Sequence, residues 1–388
     1  MRIIIHCLAL LLLAPVITNA ATVRVDFDKG KITPVIMEGT RNKDGKAAVT
    51  LDDRVRIASV TKLYVALGVM RLVDQGKLDL DRDVSDYLGW LLRNPHFPDK
   101  PITLRLLLSH QSSVSDAADY LIPVDQTVRA KLSDPQAWDA KHAPGSGWFH
   151  YTNLNFPIVA SVMEAATGER FDRLMTRLVM KPLKLTACFN WAGCTDADAA
   201  TAVTLYRSTG EVARDDLKGK LPSCFGVAGA GGACDLNQYK LGWNGAIFGP
   251  QGGLRVSARD LAKTGQMMLR SGKGFLSRKS FDALTTPSWR FDGTNGQGEN
   301  GLAEDGFFCA YALAVQTIGT GSKGCRDDGF GDGKIRIGHA GEAYGLKSGL
   351  WVDMKSGKGT AFFTTAVPED EPRGASAFYA IEERILRR

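Results

Sequence analysis

Several marks of large functional classes are missing from this chain. No G-x-G-x-x-G lies between a strand-like and a helix-like segment, and there is no G-x-x-x-x-G-K-[ST], so nothing calls for a nucleotide or other cofactor. No C-x-x-C knuckle occurs and the six histidines are scattered, which argues against a metal site. The formal net charge is only +6, with no basic cluster, so nucleic acid is not an expected partner. The short tail of Arg384, Arg387 and Arg388 reads as a solvated helix end. Beyond the N-terminal segment no apolar stretch has the length of a membrane span, and no repeat is visible.

What remains is an ordinary globular composition, 44% hydrophobic and 23% charged, on 388 residues, enough for two subdomains of one domain. Met1 to Ala20 reads as a secretory signal. Arg2 is its positive start, Ile3 to Val16 its apolar run, and Thr18-Asn19-Ala20 its small residues before a cut near Ala21. A periplasmic or secreted protein is expected. Of the seven cysteines, Cys7 lies in that segment. The other six allow fifteen connectivities. They fall into three close sequential pairs, which predicts Cys188 with Cys194, Cys224 with Cys234, and Cys309 with Cys325 in an oxidising compartment.

Val23 to Phe27 alternates as a half-buried strand does, and Ile32 to Glu38 reads as its partner. A helix follows from Ser59 to near Gly76. Ile102 to Leu108, Phe156 to Thr167 and Phe171 to Val179 read as helices, and the Cys188 to Cys234 stretch as a disulfide-tied excursion near the site entrance. Ser257 to Arg270 reads as a helix capped by Ser257, and Asp292 to Gly306 as a Gly-rich loop. Phe307 to Ile318, Ile335 to His339, Gly349 to Asp353 and Gly359 to Val367 read as antiparallel strands, and Ala375 to Leu386 as a closing helix. Strands at both ends with helices between predict an α+β fold: one sheet from residues of about 21–80 and 241–388, and a mostly helical insertion over about 81–240.

Chemistry enters at Ser59-Val60-Thr61-Lys62. A serine three residues before a lysine shares a helix face with it. A helix N-terminus favours negative charge developing there. Burial lowers a lysine's pKa, so Lys62 can act as a base toward Ser59, giving an acyl-enzyme without a His-Asp pair. Alone the pattern is weak, since chance supplies about one in a chain this long. Its company strengthens it: Tyr151-Thr152-Asn153, His339-Ala340-Gly341, the intervening Gly252 to Leu261, and Leu106-Leu107-Leu108-Ser109-His110-Gln111-Ser112-Ser113.

In this order the segments resemble the serine β-lactamase and penicillin-binding-protein superfamily, nearest the branch of class C β-lactamases, D-alanyl-D-alanine carboxypeptidases, D-aminopeptidases and related esterases. The resemblance implies a β-lactamase/transpeptidase-like fold with S-x-x-K, Y-x-N and H-x-G lining one cleft. Ser59 would be the acylated nucleophile, Lys62 its base and Tyr151 a proton carrier to the leaving group. Asn153 would hold Lys62 and a substrate carbonyl. His339, Gly341 and Glu342 would bind substrate, with the amides of Ser59 and Glu342 as oxyanion hole. Whether Lys62 or Tyr151 takes the first proton stays open.

Two departures bear on substrate. Glu342 stands where small residues are common. His339 replaces a permanent lysine cation and would be mostly neutral at pH 7, which weakens a β-lactamase reading. Lys263-Thr264-Gly265 spells the third motif literally but lies in a helical run, so it is read as a decoy. His110 is expected to pack beneath the site, and Trp148, Trp191, Trp243 and Tyr344 are candidates for the cleft wall. The expected function is a secreted serine hydrolase on D-amino-acid-terminated cell-wall-type peptides, peptidoglycan stems among them. Alternatives are an esterase or weak β-lactamase on the same scaffold, or a non-catalytic penicillin-binding-type sensor.

Overall fold

The computed structural model describes residues 20–298 and 303–388. The signal segment, Ala20 apart, lies outside the described residues, as do Cys7 and the middle of the Gly-rich loop. Among the described residues thirteen strands occur: β1 (Thr22–Asp28), β2 (Ile32–Glu38), β3 (Val55–Arg56), β4 (Cys188–Phe189), β5 (Leu205–Tyr206), β6 (Val212–Arg214), β7 (Leu254–Val256), β8 (Trp289–Arg290), β9 (Ala310–Tyr311), β10 (Gln316–Ile318), β11 (Arg336–Ala343), β12 (Leu346–Asp353) and β13 (Lys358–Thr364). Eight form one antiparallel sheet in the order β2-β1-β13-β12-β11-β10-β9-β8. Both ends of the chain meet in it, with Val23 opposite Phe363 and Val25 opposite Ala361. This is the α+β, transpeptidase-like sheet that the sequence predicts.

The period of two along these strands sends alternate residues to opposite faces. Leu350, Val352 and Phe363 join the main core beside helices α1 (Thr61–Asp74), α2 (Asn155–Thr167) and α3 (Ala258–Leu269). Trp351 and Phe362 face the other way, onto Ile385 and Leu386 of helix α4 (Ala380–Arg387). Burying each such apolar side chain contributes about 1.5–3 kcal/mol, and both faces need a helix to do it. Helix α3 comes close to the sheet because a Cβ on Gly265 would sit 2.1 Å from the Phe27 ring.

Four expectations need correction. Helix α1 begins at Thr61, and Ser59 lies in a single 3-10 turn, Ala58–Val60, entered through a positive φ of 44° at Ala58. The strand expected over Phe307 to Ile318 is two strands, because Ala314 adopts φ 53° and Ala312 N donates to Val315 O (2.8 Å) in an apolar turn without Gly or Pro. The closing helix begins at Ala380, since the Glu383 carboxylate accepts the amides of Ala375 and Ser376 and holds that stretch out of a helix. The Phe171 to Val179 helix is Phe171–Met175 running into a wider π-type turn, Thr176–Met180.

The three disulfides join Cys188–Cys194, Cys224–Cys234 and Cys309–Cys325, with Cα separations of 5.7, 5.5 and 6.1 Å. A small sheet, β3-β7-β4, draws the segment before Ser59 against residues 254–256 and the first disulfide. No helix among the described residues is long and apolar enough to cross a membrane.

Candidate active site

Ser59 sits where β3 gives way to helix α1. The turn is anchored on both sides: Ile57 N donates to Leu254 O (3.2 Å), and Ser348 Oγ donates to Ile57 O (2.9 Å). Strand β11 presses against the same turn at Gly341. A Cβ there would lie 2.3 Å from Ile57 O, 2.5 Å from Ser348 Oγ and 3.2 Å from Ser59 N. Only glycine allows the backbone of the third motif to approach the Ser59 turn this closely.

Lys62 is wholly buried, one turn on from Ser59. Its Nζ lies 2.9 Å from Ser59 Oγ, 2.8 Å from Asn153 Oδ1 and 2.8 Å from the Gln251 carbonyl. Burial drives the amine down to about 7, against the opposing pull of the Asp116 and Glu304 carboxylates. The last two neighbours only accept hydrogen bonds, so they take two N–H groups. In the neutral amine the third position is a lone pair facing the serine hydroxyl. That is the geometry of a base toward Ser59.

Asn153 is oriented by Asp116, a residue the sequence did not disclose. One Asp116 oxygen accepts from Asn153 N (2.8 Å) and Asn153 Nδ2 (2.9 Å), the other from Leu154 N (2.8 Å). With Nδ2 committed there, Oδ1 faces Lys62. Asp116 lies in no motif, and its contacts are mostly to backbone. Gln251 acts through its carbonyl, which no side-chain pattern reveals.

Tyr151 is stacked between His110 (centroids 4.4 Å apart) and Phe308 (4.9 Å), with Lys62 Nζ 4.9 Å from its ring centre. Burial raises the phenol well above its ordinary pKa, opposed by the Ser59 hydroxyl, so it stays protonated. His110 accepts the Thr152 amide on Nδ1 (2.9 Å), and burial, then the Lys62 charge, holds it neutral.

His339 is buried at the cleft wall. Its Nε2 lies 2.7 Å from the Tyr311 hydroxyl and its Nδ1 2.5 Å from the Ala340 carbonyl. Burial, with Lys62 adding to it, lowers it to about 3, so the ring is neutral. Both nitrogens are therefore bound to protein, and Tyr311, buried behind His339, is a supporting residue that sequence reasoning missed. Glu342 pairs with Lys347, its neighbour across the β11–β12 ladder, at 2.5 Å.

These groups line one cavity of about 590 Å³ that brings together Ser59, Tyr151, Asn153, His339, Gly341 and Glu342. Of the four aromatic candidates only Tyr344 lines it. Trp148 stacks on His142, Trp191 is buried with its indole N–H on Asp215, and Trp243 is exposed under Lys240. The Cys188 to Cys234 excursion reaches the rim through Arg214, over the Tyr344 ring. Lys263-Thr264-Gly265 lies in α3, where Thr264 bonds Tyr64 (2.9 Å). No metal-like grouping of His, Cys, Asp or Glu occurs among the described residues.

Fold and cleft together define the class: a transpeptidase-like scaffold whose cleft sets a serine beside a buried lysine. The chain belongs to the Beta-lactamase family, whose model matches residues 16–383. A curated relative is the esterase EstB of Burkholderia gladioli, 28% identical over 270 residues, 63% of this chain and 64% of that protein. The match thus spans less than two-thirds of that relative's length. Among solved structures, the penicillin-binding protein homologue of Pyrococcus abyssi superposes with TM-score 0.66 at 18% identity, covering 95% of this chain and 74% of that one. The D-amino acid amidase of Ochrobactrum anthropi SV3 superposes with TM-score 0.62 at 17% identity, covering 95% and 92%.

Proposed function

We propose that the protein is an exported acyl-transfer hydrolase in which Ser59 attacks an ester or amide carbonyl and carries the acyl group. The observation that supports this best is the buried Lys62 amine, 2.9 Å from Ser59 Oγ and held near neutrality. Neutral Lys62 takes the hydroxyl proton as Oγ bonds to the carbonyl carbon, and the carbonyl electrons move onto oxygen. The amides of Ser59 and Glu342 receive that oxygen. Losing one such donor typically costs about 2.7–4 kcal/mol in the barrier. Collapse expels the leaving group, which takes its proton through Tyr151, and water repeats the sequence on the ester. Because the phenol is held protonated while about half of Lys62, at a pKa of about 7, is neutral at pH 7, on this reading Lys62 is the first base. Asn153 positions Lys62 and the substrate, and the neutral His339 gives the leaving-group side shape without charge.

The favoured substrates are amides or peptides ending in a D-amino acid, cell-wall-type stems among them. The D-amino acid amidase is a fold neighbour in keeping with this reading. The esterase relative favours a second reading, short esters. Export rests on the Met1 to Ala20 segment and the three disulfides. One preparation assayed on a D-alanyl-D-alanine peptide, a short-chain nitrophenyl ester and nitrocefin separates the readings. Peptide cleavage is expected to dominate. Ester turnover without peptide cleavage refutes the substrate preference, and activity surviving Ser59→Ala refutes the nucleophile. An inert cleft that an active-site serine probe leaves unmodified would make the protein a sensor.

A further inference from the structure

Arg56 lies three residues before Ser59 on β3 and lines the same cavity. Its Nε is buried without a hydrogen-bond partner, and among the described residues no carboxylate pairs with its guanidinium. Around it stand Arg255, its register partner on β7, and Arg214, which with Arg56 lies over the Tyr344 ring at 5.0 and 5.2 Å from the centroid. The nearby carboxylate, Asp215, is spent. Its Oδ1 accepts from Trp191 Nε1 and Arg255 Nη2 (both 2.8 Å), and its Oδ2 from Arg255 Nε (3.2 Å). Asp215 is thus committed to Arg255, and among the described residues neither Arg56 nor Arg214 has a carboxylate partner, Arg214 Nη2 donating instead to the Tyr344 hydroxyl (3.3 Å). A half-buried cation without a counter-charge is costly, and an incoming anion removes that cost.

The other cations of the cleft are engaged. Lys347 pairs with Glu342, and Arg373 donates to Ala377 O (2.8 Å) while stacking on Tyr379. The corner's position assigns its use. Strand β11 runs from His339 past Gly341, against the Ser59 turn, to Tyr344 just beyond its end. At about 3.3 Å per residue, His339 and Tyr344 stand on opposite sides of the reacting carbonyl. Tyr151, the phenol serving the leaving group, is on the His339 side, with ring centroids 6.2 Å apart. Arg56 and Tyr344 therefore flank the acyl half.

We infer that the Arg56–Arg214–Tyr344 corner is an anion-receiving subsite for the acyl half of the substrate, so that the enzyme selects esters or amides whose acyl group carries a carboxylate. The lowered pKa of the Tyr344 phenol, which burial alone would raise and which Arg56 pulls down, fits an uncompensated positive field. This rests on the acyl-enzyme reading of Ser59.

Two esters with one leaving group test it: 4-nitrophenyl butyrate and the mono-4-nitrophenyl ester of glutaric acid. The ratio of kcat/KM, anionic over neutral acyl group, is read on the full-length protein and on Arg56→Gln and Arg56→Lys. Arg56→Gln is expected to lower the ratio about 10- to 100-fold, the worth of a charged hydrogen bond, with Arg56→Lys between. An unchanged ratio in an active enzyme overturns the subsite and leaves the acyl-enzyme intact. If neither ester turns over, the acyl-enzyme reading fails by itself. Thermal stabilisation by free glutarate then decides the subsite: a shift abolished by Arg56→Gln supports it, and no shift in the unmutated protein overturns it.

Discussion

If Lys62 must be neutral to take the Ser59 proton, acylation carries the titration of that amine. Its buried position puts the pKa at about 7, far below the usual value of 10.5. About half the enzyme is then competent at pH 7 and roughly 1% at pH 5, so kcat/KM should fall about 50-fold between them and gain less than about twofold above pH 8. The sign follows from depression of a base: activity rises with pH through the limb and then levels. Two carboxyls of the cleft titrate nearby. Burial pushes Glu382 up to about 7, and desolvation pushes Glu304 up to about 6 although part of its side chain meets solvent. Variants separate them from Lys62. Glu382→Gln should leave the limb in place. Glu304→Gln removes a negative charge that supports the ammonium, so the limb should move to lower pH. The assay is the pre-steady-state release of nitrophenol from an ester of pH-independent reactivity, at matched ionic strength. A rate flat from pH 5 to 8, or one falling as pH rises, contradicts a neutral Lys62 base. A limb that vanishes in Glu304→Gln assigns the titration to Glu304 instead.

Three further outcomes follow from the packing. Gly341→Ala drives a Cβ into Ile57 O and Ser348 Oγ, so denaturant titration should show a loss of about 1–3 kcal/mol, with acylation falling further as β11 moves off the Ser59 turn. Lys263→Ala should leave ester turnover within about twofold, because Lys263 pairs with Asp260 on α3 away from the cleft, and a large loss would restore the literal K-T-G as the third motif. Replacing Cys309 and Cys325 with serine opens a loop of sequence separation 16 behind the Phe307 and Phe308 cleft wall. It should cost about 2–4 kcal/mol in a thermal or denaturant melt.

Much of the scaffold is legible in the sequence because each signal is local. Alternation marks β1, Ser257 caps α3 through Asp260 N, and short cysteine separations leave one economical pairing. The motif residues are legible because their chemistry sits in their own side chains. The turn at Ala312–Val315 carries no turn residues, so a continuous apolar run conceals it. Asp116 and Gln251 are hidden for another reason: Gln251 acts through its backbone carbonyl, which any residue can present, and Asp116 lies in no motif and spends two of its three contacts on backbone amides. Tyr311 and Arg56 emerge only when the sheet and the small β3-β7-β4 ladder set them beside residues remote in sequence. His339 is half legible. Its neutrality follows from being a histidine, but its engagement by Tyr311 depends on β9 lying beyond β10 in the sheet.

The most direct test is the mass of the intact protein and of its Ser59 peptide after brief exposure to a reactive ester and to a D-amino-acid-terminated peptide. A transient mass increase confined to that peptide, absent in Ser59→Ala and slow to form in Lys62→Ala, is the predicted result. Turnover of either substrate with no covalent species on Ser59, under conditions that trap acyl-enzymes, contradicts it.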